Sequence, residues 1–291
     1  MELLTRFRAY QLDSAGALYS YYSPDQFALV EARLPKGGVE VIASELETCN
    51  RSKIDLLHIT SWDSDHVSFI DLTQIINHFR PSMIEVPSYK PDHEMGQRCR
   101  NILEGYDEIH GKYVQNVRFV TKDYLKSLSH AEAWGMNNIV INPNFNDPCK
   151  NNMSLMKLFR SRGFNVASFG DCESSEISAR ISIDGSILNS ETDVMILAHH
   201  GANNGFTNKN FLEKVRPSIA VCNSNYGNQY DHPKPEIRQM LHELNIPIFT
   251  TKTGDVIIQQ KNGQKAEIYN LISDNQALSS SYLFIPKRYQ Q

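Results

Sequence analysis

The chain has little of what marks an extracellular, membrane or nucleic-acid-coating protein. Its five cysteines (Cys49, Cys99, Cys149, Cys172, Cys222) are scattered, odd in number and free of any Cys-x-x-Cys pair. That argues against a disulfide framework or a zinc ribbon and suits a reducing compartment. No apolar run approaches the ~20 residues that span a bilayer. The start, Met1-Glu2-Leu3-Leu4-Thr5-Arg6-Phe7-Arg8, lacks the apolar core of a signal peptide. The expectation is a soluble, cytoplasmic protein that does not engage membranes. A basic excess is missing too. The formal net charge of −4 argues against a uniformly basic surface, while a local basic patch stays open.

What is present is an ordinary globular composition, 41% hydrophobic and 21% charged over 291 residues, enough for a sizeable core in one large domain or two. Short runs rich in aromatic and β-branched residues predict strands over residues 7–12, 17–22, 27–32, 39–42 and 55–60. Helical periodicity follows over 67–79, 94–109 and 122–129, with a short strand at 83–86 between the first two. A second cycle predicts strands at 139–142, 155–159, 165–169, 194–198, 219–223, 248–251 and 256–259, with helices at 174–180, 208–215 and 235–244. Two strand-rich halves, each followed by helices, imply a sheet-on-sheet core flanked by helices. Residues 1–273 are expected to form one domain, and 274–291 a polar tail in which residues 282–285 are a candidate last strand.

Three hydrophobic stretches end in metal-ligating residue types. Residues 55–60 lead to Asp63-Ser64-Asp65-His66, residues 164–169 to Gly170-Asp171, and residues 194–198 to His199-His200-Gly201. Strands that deliver carboxylates and imidazoles to one sheet edge can assemble a metallohydrolase site from distant sequence. On an extended loop Asp63 and Asp65 point the same way and His66 can turn in beside them, although acidic surface loops are common. Gly-Asp alone is usually a turn. Adjacent histidines on an extended segment point to opposite sides, which makes one a direct ligand and leaves the other to meet an anionic substrate. His232-Pro233 is a candidate to contact or protonate a leaving group, with a loop-capping role equally open. His58, on the apolar strand before the acidic cluster, reads as a core residue or a support behind the ligands, with a functional role as the alternative. His78, His93, His110, His130 and His242 have no partners that set them apart. Cys172 reads as a packing residue, with thiolate ligation as the alternative.

Together these residues resemble the metallo-β-lactamase superfamily, and within it the nuclease-like domain of ComEC-type competence (DNA-uptake) proteins. A Thr/Ser-His-x-Asp-x-Asp-His signature lines up with Thr60-Ser61-Trp62-Asp63-Ser64-Asp65-His66. An Asn-x-x-Ser-Leu segment is matched by Asn151-Asn152-Met153-Ser154-Leu155, and a Gly-Asp turn by Gly170-Asp171. His199-His200-Gly201 precedes Phe211-Leu212 and Pro217, and Asn228-Gln229-Tyr230-Asp231-His232-Pro233 reproduces an Asn-x-Tyr-x-His-Pro motif. The likeness is ordered from Asp55 to about Gln259 and weaker over the first 50 residues. It implies an α/β fold, a four-layer αββα sandwich. It also implies a first metal site of Asp65, His66, Asp171 and His200, and a second of Asp63 and Asp171 with Asp171 bridging. His199 and His232 would face the substrate phosphate, and Ser61, Asn151, Asn152 and Ser154 would line the site. The chain departs from the family where its first histidine is Ser61. It departs again at Leu12-Asp13-Ser14-Ala15-Gly16-Ala17, where the family has a glycine-rich motif.

The function this implies is a metal-dependent phosphodiesterase or nuclease, with Zn2+ as cofactor (one or two ions, Mn2+ or Mg2+ as alternatives). A metal-bound hydroxide would attack phosphorus, with Asp65, His199 and His232 as catalytic residues. DNA or RNA is the expected substrate partner, met in part by Lys150, Lys157, Arg160, Arg162, Lys209, Lys234 and Arg238, although a solvated surface accounts for most such residues. The alternatives are hydrolysis of a small phosphodiester or other ester, of cyclic-nucleotide or phosphocholine type, and a degenerate, non-catalytic binding domain.

Overall fold

Unbroken burial along the central strands shows that each of two sheets has both faces covered. The structure, a computed structural model, describes residues 2–110, 116–127, 138–142, 146–227, 229–272 and 277–290. The expectations at His130 and Asn228, and the domain boundary after residue 273, lie outside the described residues.

In chain order, β1 (Leu3–Ala9), β2 (Tyr19–Ser23) and β3 (Gln26–Val30) precede α1 (Gly38–Thr48), β4 (Leu56–His58) and α2 (Phe69–Phe79). Next come β5 (Met83–Pro87), α3 (Glu94–His110), β6 (Val117–Val120), α4 (Lys122–Ser127), β7 (Asn138–Asn142), β8 (Met156–Phe159) and β9 (Val166–Ser168). They are followed by α5 (Ser175–Ile181), α6 (Ile187–Glu191), β10 (Val194–Ile196), α7 (Lys209–Val215), β11 (Ile219–Cys222) and α8 (Pro235–Glu243). The chain closes with β12 (Ile248–Thr250), β13 (Val256–Lys261), β14 (Ala266–Leu271) and β15 (Leu278–Phe284). Among the described residues, nine strands form one sheet in the order β15-β14-β13-β1-β2-β3-β4-β5-β6, and six form the other in the order β12-β11-β10-β9-β8-β7. Strands β3 to β6 run parallel, as do β9 to β12.

The period of two along the strands sorts the core into three layers. Ala28, Val30 and Leu56 from the larger sheet meet Val194, Ile196, Ile219 and Val221 from the smaller one. Their neighbours Phe27, Leu29 and Leu57 point the other way, onto Ile42, Leu46, Leu72, Ile75 and Leu103 of α1, α2 and α3. Met195, Ala220 and Cys222 face Ile177, Phe211, Leu212, Ile237 and Leu241 of α5, α7 and α8. The result is the αββα sandwich. Among the described residues, no helix is long and apolar enough to cross a membrane.

Residues 39–42, expected as a strand, belong instead to α1. Gly38, Ile42, Glu45 and Leu46 are its buried residues, a helical i, i+4, i+7, i+8 spacing that a four-residue window of β-branched side chains conceals. Glu45 accepts hydrogen bonds from Arg6 Nε (2.6 Å) and Arg8 Nη1 (3.0 Å), which ties the helix to β1. Strands β6 and β14 and helix α6 had no counterpart in the sequence reading.

Between the sheets lies a buried polar network. Lys157 on β8 pairs with Glu85 on β5, His58 on β4 places Nδ1 3.2 Å from Glu85 Oε2, and Arg118 reaches Glu85 Oε1 at 3.4 Å. His58 is thus a core residue, joined to a carboxylate.

Candidate metal centre

Parallel strands β3 and β4 of the larger sheet and β9, β10 and β11 of the smaller one carry the site at their C-terminal ends, where open α/β sheets place ligands. The loop after β4 supplies Asp65 and His66, that after β9 Asp171, and that after β10 His200. One ligand atom from each lies within 4.8 Å of every other. His66 Nε2 is 2.8 Å from Asp171 Oδ1 and 4.0 Å from Asp65 Oδ1. His200 Nε2 is 3.3 Å from Asp65 Oδ2 and 4.0 Å from Asp171 Oδ1. The tetrad straddles the seam between the two sheets.

Three of these atoms, His66 Nε2, His200 Nε2 and Asp171 Oδ1, are buried without an aligned hydrogen bond. Buried polar atoms are normally satisfied, and three orphans within 4.8 Å of one another are a set that a cation could satisfy. Glu31 supports this from behind, because His66 Nδ1 lies 3.0 Å from Glu31 Oε1. A ring that donates through Nδ1 presents a lone pair at Nε2, as metal-ligating histidines do. Burial opposes charge throughout the tetrad, but the partners overcome it. Asp171 and Glu31 hold His66 well above the ordinary imidazole pKa, and Asp65 and Asp171 raise that of His200. His200 and His66 hold Asp65 and Asp171 below the ordinary carboxylate range. Two imidazoles and two carboxylates fit a divalent ion, whose binding would displace the imidazole protons.

The loops are braced by residues from both sheets. Glu31 follows β3 at φ 70°, a conformation that costs a non-glycine residue energy. Its carboxylate accepts from Thr60 N (3.0 Å) and Thr60 Oγ1 (2.5 Å). Asp171 N donates to Ser154 Oγ (3.2 Å), and Asn152 Oδ1 accepts from the amides of Glu173 and Ser174 (3.0 Å each). Asn151 Nδ2 donates to Glu173 Oε1 at 2.7 Å. Asn151, Asn152 and Ser154 therefore shape the Asp171 loop. Gly170 has φ 54°, and a Cβ there would stand 2.7 Å from Ser154 Cβ.

The Asp63-Ser64-Asp65-His66 run is a turn rather than an extended loop. His66 N and Val67 N both donate to Asp63 O (2.9 and 3.0 Å). Asp63 and Asp65 accordingly do not share a face, and Asp63 stands apart from the tetrad. Its Oδ2 accepts from Ser61 Oγ (3.0 Å), and its Oδ1 lies 3.5 Å from His93 Nε2. Ser61 also meets the Tyr89 hydroxyl at 3.2 Å, whose pKa burial pushes up to about 12.

His199 and His200 are not extended either. Both are left-handed, with φ 46° and 52°. His199 Nδ1 is 2.9 Å from Glu173 Oε1 and 3.2 Å from Asn204 Nδ2. Its ring centre is 6.2 Å from that of His232, which in turn stacks on Tyr230 at 5.6 Å. Burial, with His200 and His199 nearby, pushes His232 down to about 4. Asp65, His199, His200, Asn223, Tyr230 and His232 line one open cleft. Of the basic residues considered for a nucleic-acid backbone, two are committed elsewhere. Lys157 is buried against Glu85, and Arg160 pairs with Glu191 at 2.6 Å.

Sequence reasoning passed over Glu31, Glu173 and His93. Glu31 offered a signal, as a charged residue at the end of an apolar strand. So did Glu173, two residues beyond Asp171. His93 offered none, since Asp63 is 30 positions away in sequence.

No family model matches the sequence, and no curated protein matches it. Solved structures do. YhfI, a metallo-β-lactamase fold protein from Bacillus subtilis, aligns at TM-score 0.52 and 9% identity over 88% of this chain and 99% of that one. A mutant of CmlA β-hydroxylase aligns at TM-score 0.51 and 12% identity over 88% of this chain and 54% of that one. The chain has the metallo-β-lactamase fold. One of these two neighbours is described as a hydroxylase, so the reaction must be argued from the site and not from the fold.

Proposed function

We propose that this chain is a metal-dependent hydrolase that cleaves phosphodiester bonds, with nucleic acid as the substrate class. The observation that carries the reading is the convergence of His66 Nε2, His200 Nε2 and Asp171 Oδ1, buried and unbonded, beside the Asp65 carboxylate. Nitrogen and carboxylate donors in this mixture suit zinc, and manganese as a harder alternative. When bound, such an ion supplies Lewis acidity and a water acidified to about pKa 7.

The remaining work falls to the chain itself. His199, held at Nδ1 by Glu173, presents its other nitrogen to a phosphate oxygen in the cleft. His232, across the cleft, meets the leaving-group side. Glu31 fixes the His66 tautomer, and Ser154 and Asn152 hold the Asp171 loop. The nucleic-acid assignment is supported by the ordered motifs that resemble ComEC-type domains.

The test is a metal-supplemented cleavage assay on single- and double-stranded DNA, RNA and bis-p-nitrophenyl phosphate, with Asp65→Ala/His66→Ala as control. Metal-dependent cleavage of a polymer, lost in the double variant, is expected. Cleavage of the small ester alone would move the substrate to a small phosphodiester, and no cleavage of any substrate would sink the hydrolase reading.

A further inference from the structure

Asp63 is a ligand-type residue that the tetrad leaves out, and its surroundings account for it without a metal. The Trp62 amide donates to the Tyr89 hydroxyl at 3.2 Å, and the Trp62 indole donates to Tyr89 O at 3.1 Å. The Tyr89 hydroxyl meets Ser61 Oγ at 3.2 Å, and Ser61 Oγ donates to Asp63 Oδ2 at 3.0 Å. The Trp62 amide, the Tyr89 hydroxyl and the Ser61 hydroxyl thus donate in turn and end on the carboxylate, while Asp63 N donates back to Ser61 Oγ at 3.2 Å. His93 approaches the other oxygen. Gly96 N donates to His93 Nδ1 at 3.1 Å, so a neutral ring carries its hydrogen on Nε2, which lies 3.5 Å from Asp63 Oδ1. In that tautomer Nε2 carries its hydrogen beside Asp63 Oδ1, without an aligned hydrogen bond, and offers no lone pair to a metal.

Charge points the same way. Asp65 and Asp171 together neutralise one divalent ion. Of the other carboxylates near the site, Glu31 is committed to His66 and Glu173 to His199. Asp63 alone would remain to balance a second ion. Among the described residues, the tetrad is the only group of three or more His, Cys, Asp and Glu side chains arranged to hold a metal.

We propose that this chain holds one divalent ion, on Asp65, His66, Asp171 and His200, and that Asp63 is not a ligand but the end of a Trp62–Tyr89–Ser61 hydrogen-bonded relay braced by His93. The inference rests on the metal-dependent reading above and fixes its stoichiometry. The protein brings a fixed hydrogen-bond array to the flank of the site, where a two-ion centre would bring a second cation.

The experiment counts ions. Metal-free full-length protein is titrated with Zn2+ and with Mn2+, followed by elemental analysis, native mass spectrometry and, for Mn2+, electron paramagnetic resonance. One ion per chain is expected, with an isolated-ion manganese spectrum. Asp63→Ala and His93→Ala should each still bind one ion, whereas Asp171→Ala should bind none. Two ions per chain with an exchange-coupled manganese spectrum, falling to one in Asp63→Ala, would overturn the inference and leave the metal-dependent reading standing. A folded protein that binds no ion overturns both. Circular dichroism of each variant separates loss of metal from loss of fold.

Discussion

Glu31 Oε1 lies 3.0 Å from His66 Nδ1, on the side of the ring away from Asp171. A strained residue at the end of a first-sheet strand thus decides which nitrogen of a second element faces the site. Replacing such a partner typically costs about 10–100-fold in metal affinity. Glu31→Gln should weaken Zn2+ binding by that order in a chelator competition, and Glu31→Ala by more. Unchanged affinity in both variants would remove Glu31 from the site's support.

Metal removal should be visible as lost stability. An ion present at about 100 times its Kd adds about 2.7 kcal/mol when it binds only the folded chain. The melting temperature of the wild-type protein should therefore rise on adding Zn2+ or Mn2+ and fall with chelator. Asp171→Ala should melt at one temperature in both conditions.

The buried Glu85 should be costly to remove. It is 3% exposed and faces Lys157, which is 2% exposed. Glu85→Ala leaves that ammonium unpaired, a change that costs about 3–5 kcal/mol in comparable settings. Urea denaturation should show a loss of this size, and Glu85→Ala/Lys157→Met should recover much of it.

The same carboxylate predicts acid lability. Burial opposes its ionisation, but Lys157 and His58 hold Glu85 below its ordinary value of 4.5. A depressed folded-state pKa contributes stability above 4.5 that disappears as pH falls below it. Glu45, beside Arg6 and Arg8, is lowered in the same sense. Denaturant midpoints should drop between about pH 5 and pH 3, and Glu85→Gln should flatten part of that drop. An equally steep fall in Glu85→Gln would assign the acid sensitivity to other groups.

Gly170→Ala is expected to disturb the centre from its backbone. The new methyl would stand 2.7 Å from Ser154 Cβ and 2.9 Å from Thr60 Oγ1, at φ 54°. Strain of this kind costs about 1–3 kcal/mol. A lowered melting temperature should appear together with weakened Zn2+ binding.

Much of the fold was legible because the period of two and the helix caps repeat in sequence. Ser68, whose hydroxyl accepts from Asp71 N at 3.1 Å, caps α2 where the helical pattern starts. Residues 39–42 misled because their strand-like composition covers only the first turn of a longer amphipathic helix. The tetrad residues stood out as carboxylates and imidazoles placed after apolar strands. Their geometry did not. The alternation that aligns Asp63 with Asp65 holds for extended chain, and a turn breaks it. Two consecutive left-handed histidines leave no compositional trace. His93 and Glu31 reach the site only through tertiary packing.

The larger sheet joins distant parts of the chain, and this bears on how the molecule is built during synthesis. Strand β1 is internal, paired on one side with β2 and on the other with β13, where Leu3 meets Lys261. Until residues 256–261 leave the ribosome, β1 has an open hydrogen-bonding edge beside Phe7, the kind of edge that recruits other chains. By then the tetrad, complete at His200, has already been synthesised. A chain halted after β12 would carry every candidate ligand and still expose that edge, so truncations in this region should aggregate rather than yield a smaller working domain.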